Sequence, residues 1–221
     1  MSPKTIESLL KILFFVVSAM YLYVVFMGFN NLKPFFISLP VITLGFLYLL
    51  KIKKKDKLIL MAFVLTIIGA TLSPFEEFYL IATSFFFIEH LLFIKLIIGY
   101  IKPKKRGIIP SVILLFLLFF IVLFLLIYGG TEKNIGYTVV LVYGFVSFSL
   151  TAMAFANFLQ KKNKANFLLL TGFFISITSD CVYAIGLLDK NSFYYVFLGE
   201  FLYWFSYAMI YVGFIEKNKR G

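Results

Sequence analysis

The chain of 221 residues has one cysteine, Cys181, and one histidine, His90. A single cysteine excludes an intrachain disulfide and a cysteine-based metal cluster, and a single histidine excludes a HExxH or multi-histidine metal site. The patterns GxGxxG and GxSxG and the P-loop are also missing. The sequence therefore predicts no cofactor and no metal, and it carries none of the common motifs of soluble enzymes.

Charged residues are scarce. They make up 14% of the chain, whereas 62% of it is hydrophobic and 20% aromatic, and the mean hydropathy is +1.00. These values lie far outside the range of an ordinary soluble domain and predict an all-α, polytopic membrane protein. The net charge of +11 comes from basic residues in short blocks between apolar runs, which favours contact with lipid headgroups over nucleic-acid binding.

A bilayer core about 30 Å thick needs about 20 apolar residues per helix, and the charged or Gly/Pro-containing breaks divide the chain into eight such segments. We expect one integral membrane domain over residues 1–221, whose first helix is retained because no convincing signal-peptide cleavage site follows it. The predicted transmembrane helices are approximately 6–27, 33–50, 58–73, 76–101, 108–128, 135–159, 166–188 and 193–215.

Charge alternates between the connections of these helices. Basic residues concentrate in "KIKKKDK" (51–57), "KPKKR" (102–106), "KKNK" (161–164) and the tail "EKNKRG" (216–221), while the intervening connections carry few charges. The positive-inside rule then predicts that both termini and the basic loops are cytoplasmic, where those loops would meet anionic lipid headgroups. A composition rich in Lys, Asn, Phe and Ile is typical of an AT-rich bacterial genome, and we therefore expect the protein in a bacterial inner membrane. No oligomeric state is predicted.

Eight helices also divide into two sets of four. Four spans return the chain to its starting side, so an internal duplication would give two halves of parallel orientation. The third and seventh segments run in the same direction, and both end in a Gly/Ser/Thr-containing stretch, "TIIGATLS" and "TGFFISITSD". This pattern indicates a possible 4+4 parallel internal repeat.

One acid lies well inside the seventh segment. Acidic and basic side chains inside a membrane cost about 2.5–3.5 kcal/mol on insertion scales and mark functional sites. Asp180 belongs to a polar stripe with Ser176, Ser179 and Tyr183, which follow the i, i+3, i+4, i+7 spacing of one helix face. Asp180 is therefore the best catalytic candidate, and the other three are candidate substrate contacts. The alternative is an interhelical hydrogen bond without chemistry.

The eighth segment repeats this pattern with Glu200, followed by Tyr203 and Tyr207 at helical spacing. At 1.5 Å per residue, Asp180 lies about 21 Å from the inner end of its helix and Glu200 about 10 Å from the outer end of the next, so both acids reach about the same depth. Glu200 is thus a second catalytic candidate, with Tyr203 and Tyr207 as substrate contacts. Glu200 lies near the helix end, and a solvent- or headgroup-facing position is its alternative.

The fourth segment contributes His90 and Glu89. His90 is the third catalytic candidate, and a structural hydrogen bond to another helix is its equally weighted alternative. Adjacent residues on a helix are rotated by about 100° and do not face each other. We therefore expect Glu89 and His90 not to point into one cavity.

The C-terminal pattern resembles that of the YhhN-like lysoplasmalogenases, a family of eight-helix membrane proteins. The stretch "GFFISITSDCVYAIGLL" is similar to the family's Gly-apolar-Ser-Asp block, with Gly172, Ser179 and Asp180 in place, and "YWFSYAMIYVG" is similar to its last helix, although Tyr207 stands where many members have glutamine. The resemblance covers nearly the whole chain by helix count and about a third of it by specific motif.

The N-terminal half resembles the family less closely. Phe86, His90 and Phe93 match the fourth helix, with Ala82 at the usual glycine position, but Ala70 follows Gly69 where the family has an aspartate. The resemblance implies hydrolysis of the vinyl ether bond of a lysoplasmalogen or a related single-chain ether lipid. Such chemistry uses two carboxyl groups, so Glu200, or Glu77 brought inward, would have to substitute for the missing one.

Two alternatives follow from other features. Because of Ala70, the chain is alternatively a non-enzymatic membrane protein that kept the fold and binds a lipid or another amphiphile. The possible parallel repeat suits a small-solute transporter, although the helices lack Gly/Pro breaks near the middle of the membrane.

Overall fold

In the computed structural model of the protein, the described residues are 2–102, 135–188 and 193–218, with positions 109–110, 112–114, 116–117 and 120–121. Their secondary structure is helical throughout, with no strand in these ranges, so the all-α prediction is confirmed for them. The helices are α1 Pro3–Phe26, α2 Lys33–Phe36, α3 Leu39–Lys51, α4 Lys57–Leu72, α5 Tyr79–Tyr100, α6 Ile135–Gln160, α7 Lys164–Leu188 and α8 Phe193–Asn218.

Several of these helices are long and apolar enough to cross a membrane. Helix α4, with 16 residues, is apolar but shorter than a full span, and the predicted segment 108–128 falls mostly outside the described residues. The chain is therefore a membrane protein, while the count of eight spans and the 4+4 repeat stay predictions. Six described stretches qualify by length and hydropathy: Lys4–Phe26, Asn30–Lys51, Glu76–Tyr100, Val142–Gln160, Lys164–Tyr183 and Phe193–Asn218.

The predicted helix 33–50 is not continuous, which corrects the sequence prediction. Helix α2 ends at Phe36, two turn residues follow, and α3 begins at Leu39 with Pro40 in its first turn. Proline has no N–H to donate to the carbonyl four residues earlier, and its ring clashes with that carbonyl. The break brings Ile37 into the protein interior, where it is buried.

Helices α7 and α8 make the most extensive helix–helix contact among the described residues. Two glycines permit it. A Cβ on Gly172 would lie 2.7 Å from Ile210 Cγ1 and 2.9 Å from its backbone nitrogen, and one on Gly213 would lie 2.9 Å from Leu169 Cγ. Small residues let membrane helices approach closely without a hydrophobic driving force. This packing fixes the relative position of the polar side chains that the two helices carry.

A buried amide network joins α6, α7 and α8 at the end of the bundle that carries Lys161 and Lys164. Asn166 has no exposed surface; its Oδ1 accepts from Asn157 Nδ2 at 3.1 Å and from Lys217 Nζ at 2.6 Å, and its Nδ2 donates to the Lys161 carbonyl at 2.8 Å. The same Nδ2 also donates to the Asn157 carbonyl at 3.3 Å, so the amide makes four hydrogen bonds to protein groups and ties three helices together.

Replacing Asn166 should destabilise this end. We expect Asn166→Ala to cost about 1–3 kcal/mol, because the Asn157 amide and the Lys217 ammonium lose a buried partner. Thermal unfolding in detergent measures the loss. Thr178→Ala on the same helix removes only a bond to its own Phe174 carbonyl and is the matched control. A melting temperature equal to that of the control would contradict the assignment.

Candidate functional site

A cavity of about 200 Å³ lies between the membrane helices, near the end of the bundle opposite the Asn166 network. Asp180 of α7 and Glu200 of α8 both line it, as their similar predicted depths require. Both side chains are partly exposed to this space. Five of the other eleven lining residues are aromatic: Tyr79, Phe86, Tyr143, Tyr183 and Tyr203. The arrangement therefore presents two carboxyl groups in an apolar, tyrosine-rich chamber.

Asp180 is held by a tyrosine of the neighbouring helix. The Tyr143 hydroxyl of α6 donates to Asp180 Oδ2 at 3.2 Å. One carboxyl oxygen is thus occupied by a protein donor, while the side chain still reaches the cavity. The hydrogen bond joins two helices, as expected if Asp180 has a structural role. It also lies at the wall of a cavity, as expected if Asp180 is catalytic.

Glu200 has different neighbours. The hydroxyl of buried Tyr21 of α1 approaches its carboxyl without meeting the geometry of a hydrogen bond, and Lys33 at the start of α2 interacts with it electrostatically. The contacts of the two acids include no direct hydrogen bond between Asp180 and Glu200. The two acids therefore line one cavity without a hydrogen bond between them, so each can act on a different part of a bound molecule.

Ser179 fixes the backbone beside both acids. Its buried hydroxyl donates to the Gly199 carbonyl at 2.8 Å, which bridges α7 to α8 one residue before Glu200. Ser179 also borders the cavity, as do Tyr183 and Tyr203. Three of the five predicted substrate contacts therefore face the cavity. The other two, Ser176 and Tyr207, are buried and lie outside its lining.

His90 also lies outside the lining of this cavity. Its Nδ1 contacts the Phe86 carbonyl at 2.8 Å, one turn earlier in α5, and its ring packs edge-on against that of Tyr143 with the centroids 5.1 Å apart. The histidine thus reaches the site only through Tyr143, whose hydroxyl binds Asp180.

Glu89 is more central than its place in the sequence suggested. Its carboxyl has no exposed surface and forms hydrogen bonds to the hydroxyls of Thr66 in α4 and Tyr207 in α8, the latter at 2.8 Å. It does not line the cavity, in agreement with the expectation that it and His90 point into no common cavity, yet its Oε2 lies 3.8 Å from His90 Nδ1. The sequence shows a glutamate within an apolar helix, but it does not show which residues bind that glutamate.

Two sequence positions tied to the resemblance have clear surroundings. Ala70 is buried in the core, and its carbonyl accepts from the hydroxyl of Ser73, a cavity residue, at 2.9 Å. Glu77 lies exposed in the short helical turn Glu76–Phe78 before α5 and does not line the cavity. The structure therefore contradicts the idea that Glu77 is brought inward.

Within the described ranges, no group of three or more His, Cys, Asp or Glu side chains is arranged to hold a metal ion. The chemistry available at the cavity is that of two carboxyls, three aliphatic hydroxyls (Ser73, Thr83 and Ser179) and several phenols. Carboxyl groups suit proton transfer to and from a bound molecule. The apolar remainder of the wall suits a molecule with a hydrocarbon part.

Comparison with known proteins adds one finding. Residues 32–214 match the model of the YhhN family, which covers most of the chain and all the described residues that line the cavity. No curated protein and no solved structure matches the chain at a significant level.

Proposed function

Because the chain belongs to the YhhN family, we propose that it is a membrane hydrolase that cleaves the vinyl ether bond of a lysoplasmalogen or a related single-chain ether lipid. The observation that carries the proposal is the intramembrane cavity on which Asp180 and Glu200 converge. An apolar chamber with two carboxyls is the equipment that acid-catalysed addition of water to an enol ether needs.

In the first step of the proposed reaction, Asp180 acts as general acid. Its carboxylic acid gives a proton to the β-carbon of the vinyl ether, the C=C π electrons form the new C–H bond, and an oxocarbenium ion results. The carboxylate left behind accepts from the Tyr143 hydroxyl, which already points at Oδ2. A hydrogen bond to the charged form stabilises it, so Tyr143 assists the proton's departure.

In the second step, water adds to the oxocarbenium carbon and loses a proton to a carboxylate, either Asp180 or Glu200. The hemiacetal then collapses to a fatty aldehyde and the glycerol hydroxyl of the headgroup fragment, with the proton returned to the leaving oxygen. No proton is consumed overall. His90 packs against Tyr143 and therefore has a positioning rather than a catalytic part in this scheme.

The proposed orientation places the cavity towards the outer leaflet of a bacterial inner membrane, with both termini cytoplasmic. Ser73 and Tyr79, at the α4–α5 connection, line the cavity, and that connection carries Glu76 and Glu77 rather than lysines. The described lysine-rich connections, 51–57 and 161–164, lie at the opposite end, where the positive-inside rule puts the cytoplasm and where anionic headgroups would bind them.

The test is direct. Purified protein in lipid nanodiscs is incubated with a lysoplasmalogen, and aldehyde release is followed with time. The saturated 1-O-alkyl analogue is the matched substrate control, because it has no double bond to protonate. We expect aldehyde from the vinyl ether alone. Absence of aldehyde over a protein-free blank would rule the hydrolase out.

A second candidate function, lipid binding without catalysis, rests on Ala70. This residue places a buried methyl group where the family to which the sequence is similar has an aspartate. A protein that kept the cavity without the chemistry would bind a single-chain amphiphile and release no product. Binding of the saturated ether analogue, measured in the same nanodiscs, together with no turnover of the vinyl ether, would favour this candidate. Solute flux into sealed vesicles without product would favour the transporter instead.

A further inference from the structure

The polar cluster around Glu89 contains more acceptors than ordinary donors can serve. The Thr66 hydroxyl oxygen has three oxygen neighbours: the Ala62 carbonyl at 2.8 Å, the Tyr211 hydroxyl at 3.1 Å and Glu89 Oε1. A hydroxyl offers one proton and accepts two hydrogen bonds. The proton positions in this cluster can therefore be assigned by counting.

The Thr66 hydroxyl is within donor distance of both the Ala62 carbonyl and Glu89 Oε1, but it has one proton. The carbonyl cannot donate in return, so all three contacts contain a proton only when Thr66 donates to the carbonyl, in the i−4 bond that threonine commonly makes within helices. Tyr211 then donates to Thr66. Tyr207 uses its own proton on Glu89 Oε2, at 2.8 Å. The contact between Thr66 and Glu89 Oε1 then contains a proton only if Glu89 supplies it.

The neighbouring histidine does not supply this proton. His90 Nδ1 lies 2.8 Å from the Phe86 carbonyl, which only accepts, so its proton points along its own helix. At 3.8 Å from Glu89 Oε2, the ring nitrogen is beyond hydrogen-bond distance. All contacts around Thr66 are satisfied when Glu89 is a carboxylic acid with its proton on Oε1.

We propose that Glu89 is a protonated carboxylic acid that positions the tyrosine wall of the cavity through Tyr207. The Tyr207 ring lies 4.6 Å from that of Tyr203, and Tyr203 lines the cavity with a buried hydroxyl that has no hydrogen-bond partner among the described residues. Glu89 thus fixes the Tyr207 side chain by a hydrogen bond. The neighbouring Tyr203 then keeps its hydroxyl available for a ligand. The positioning role rests on the proposed function, whereas the proton on Glu89 does not.

The surroundings favour a neutral Glu89. Asp180 of α7 lies close enough to interact with it electrostatically, so a charged Glu89 would face a second acid across an apolar interior. In the part of the chain that the structure describes, no lysine or arginine contacts this carboxyl. The titratable groups that face it from the helices packed around it are His90, Tyr143, Asp180, Tyr203, Tyr207 and Tyr211.

Infrared spectroscopy of the full chain in nanodiscs tests the proton without any substrate. We expect Glu89→Gln to remove a carbonyl-stretch band of a carboxylic acid at neutral pH, and Tyr207→Phe to shift the same band, since it removes a donor to Oε2. Glu77→Gln deletes an exposed carboxyl and should leave this band in place. A Glu89→Gln spectrum identical to the wild type in this region would overturn the assignment.

The single tryptophan of the chain reports on the tyrosine wall. Trp204 lies 4.8 Å from the Tyr203 ring, edge to face. A glutamine at position 89 reproduces both hydrogen bonds of the acid, with its amide N–H on Thr66 and its oxygen on Tyr207, whereas a leucine makes neither. We therefore expect wild-type Trp204 emission in Glu89→Gln and a shifted emission with a lower unfolding temperature in Glu89→Leu.

Kinetics complete the test. Leaving the buried Tyr207 hydroxyl without its acceptor should raise KM for the vinyl ether lipid about tenfold in Glu89→Leu, and Glu89→Gln should restore it to within about threefold of the wild type. Unchanged emission in Glu89→Leu, or a glutamine variant as impaired as the leucine one, would overturn the positioning role. If the wild type releases no aldehyde, the hydrolase proposal fails, and the infrared and fluorescence results still decide the role of Glu89.

Discussion

Asp180→Asn is expected to lower the rate of aldehyde release by about 10²–10⁴-fold, the usual contribution of a general acid. The asparagine amide keeps the size of the side chain and can still accept from Tyr143, whose hydroxyl lies 3.2 Å from Oδ2. It has no acidic proton to give to the vinyl carbon. The loss should therefore appear in kcat, with the protein folded and KM little changed.

The measurement is a progress curve of aldehyde formation in nanodiscs, with thermal unfolding recorded on the same samples. Glu77→Gln is the matched control, because Glu77 is an exposed acid outside the cavity lining. Its rate should equal that of the wild type. Equal rates for Asp180→Asn and the wild type would remove Asp180 from the mechanism and leave its bond to Tyr143 as a structural contact.

The second large effect is on stability. Gly172→Ala should destabilise the protein by about 1–3 kcal/mol, as overpacking in tightly packed interiors does, because its Cβ would lie 2.9 Å from the backbone nitrogen of Ile210. A backbone atom cannot rotate away, so α7 and α8 have to separate. In a protein of this size each kcal/mol lowers the melting temperature by roughly 2–4 °C.

Gly99→Ala is the control for this change. Gly99 lies in α5, and a Cβ there meets no heavy atom within 4 Å, so the substitution should be neutral or stabilising through the higher helix propensity of alanine. Aldehyde release by Gly172→Ala should fall as well, since α7 carries Asp180 and α8 carries Glu200. A melting temperature at or above that of Gly99→Ala would show that the two helices pack less closely than described.

Periodicity in the sequence grouped most of one face of α7. Three of the four stripe residues, Ser179, Asp180 and Tyr183, line the cavity, while Ser176 does not, because the 3.6-residue repeat determines which side chains share a side of the helix but not how far along it the cavity extends. Equal depth in the membrane likewise placed Glu200 at the same cavity. These inferences need only the geometry of single helices and the thickness of the bilayer.

Contacts between helices were beyond the same reasoning. The sequence identified Glu89 as an intramembrane acid but gave no sign that Thr66 and Tyr207, 23 and 118 positions away, would enclose it. Nor could it pair Tyr143 with Asp180. Such partners depend on the rotation and tilt of neighbouring helices, which result from packing of the whole bundle. Pro40 was a signal in the sequence for the break between α2 and α3. The continuous hydropathy of residues 33–50 favoured a single helix instead.

The first helix has a part in the site that the family match does not convey. Tyr21 in α1 is fully buried, packs edge-on against Trp204 at 5.7 Å and brings its hydroxyl towards Glu200, yet it precedes the matched range 32–214. Glu200 therefore has a neighbour contributed by the chain's own N-terminal helix. A chain trimmed to the matched range would lose the contact between Tyr21 and Trp204 and the phenol beside Glu200.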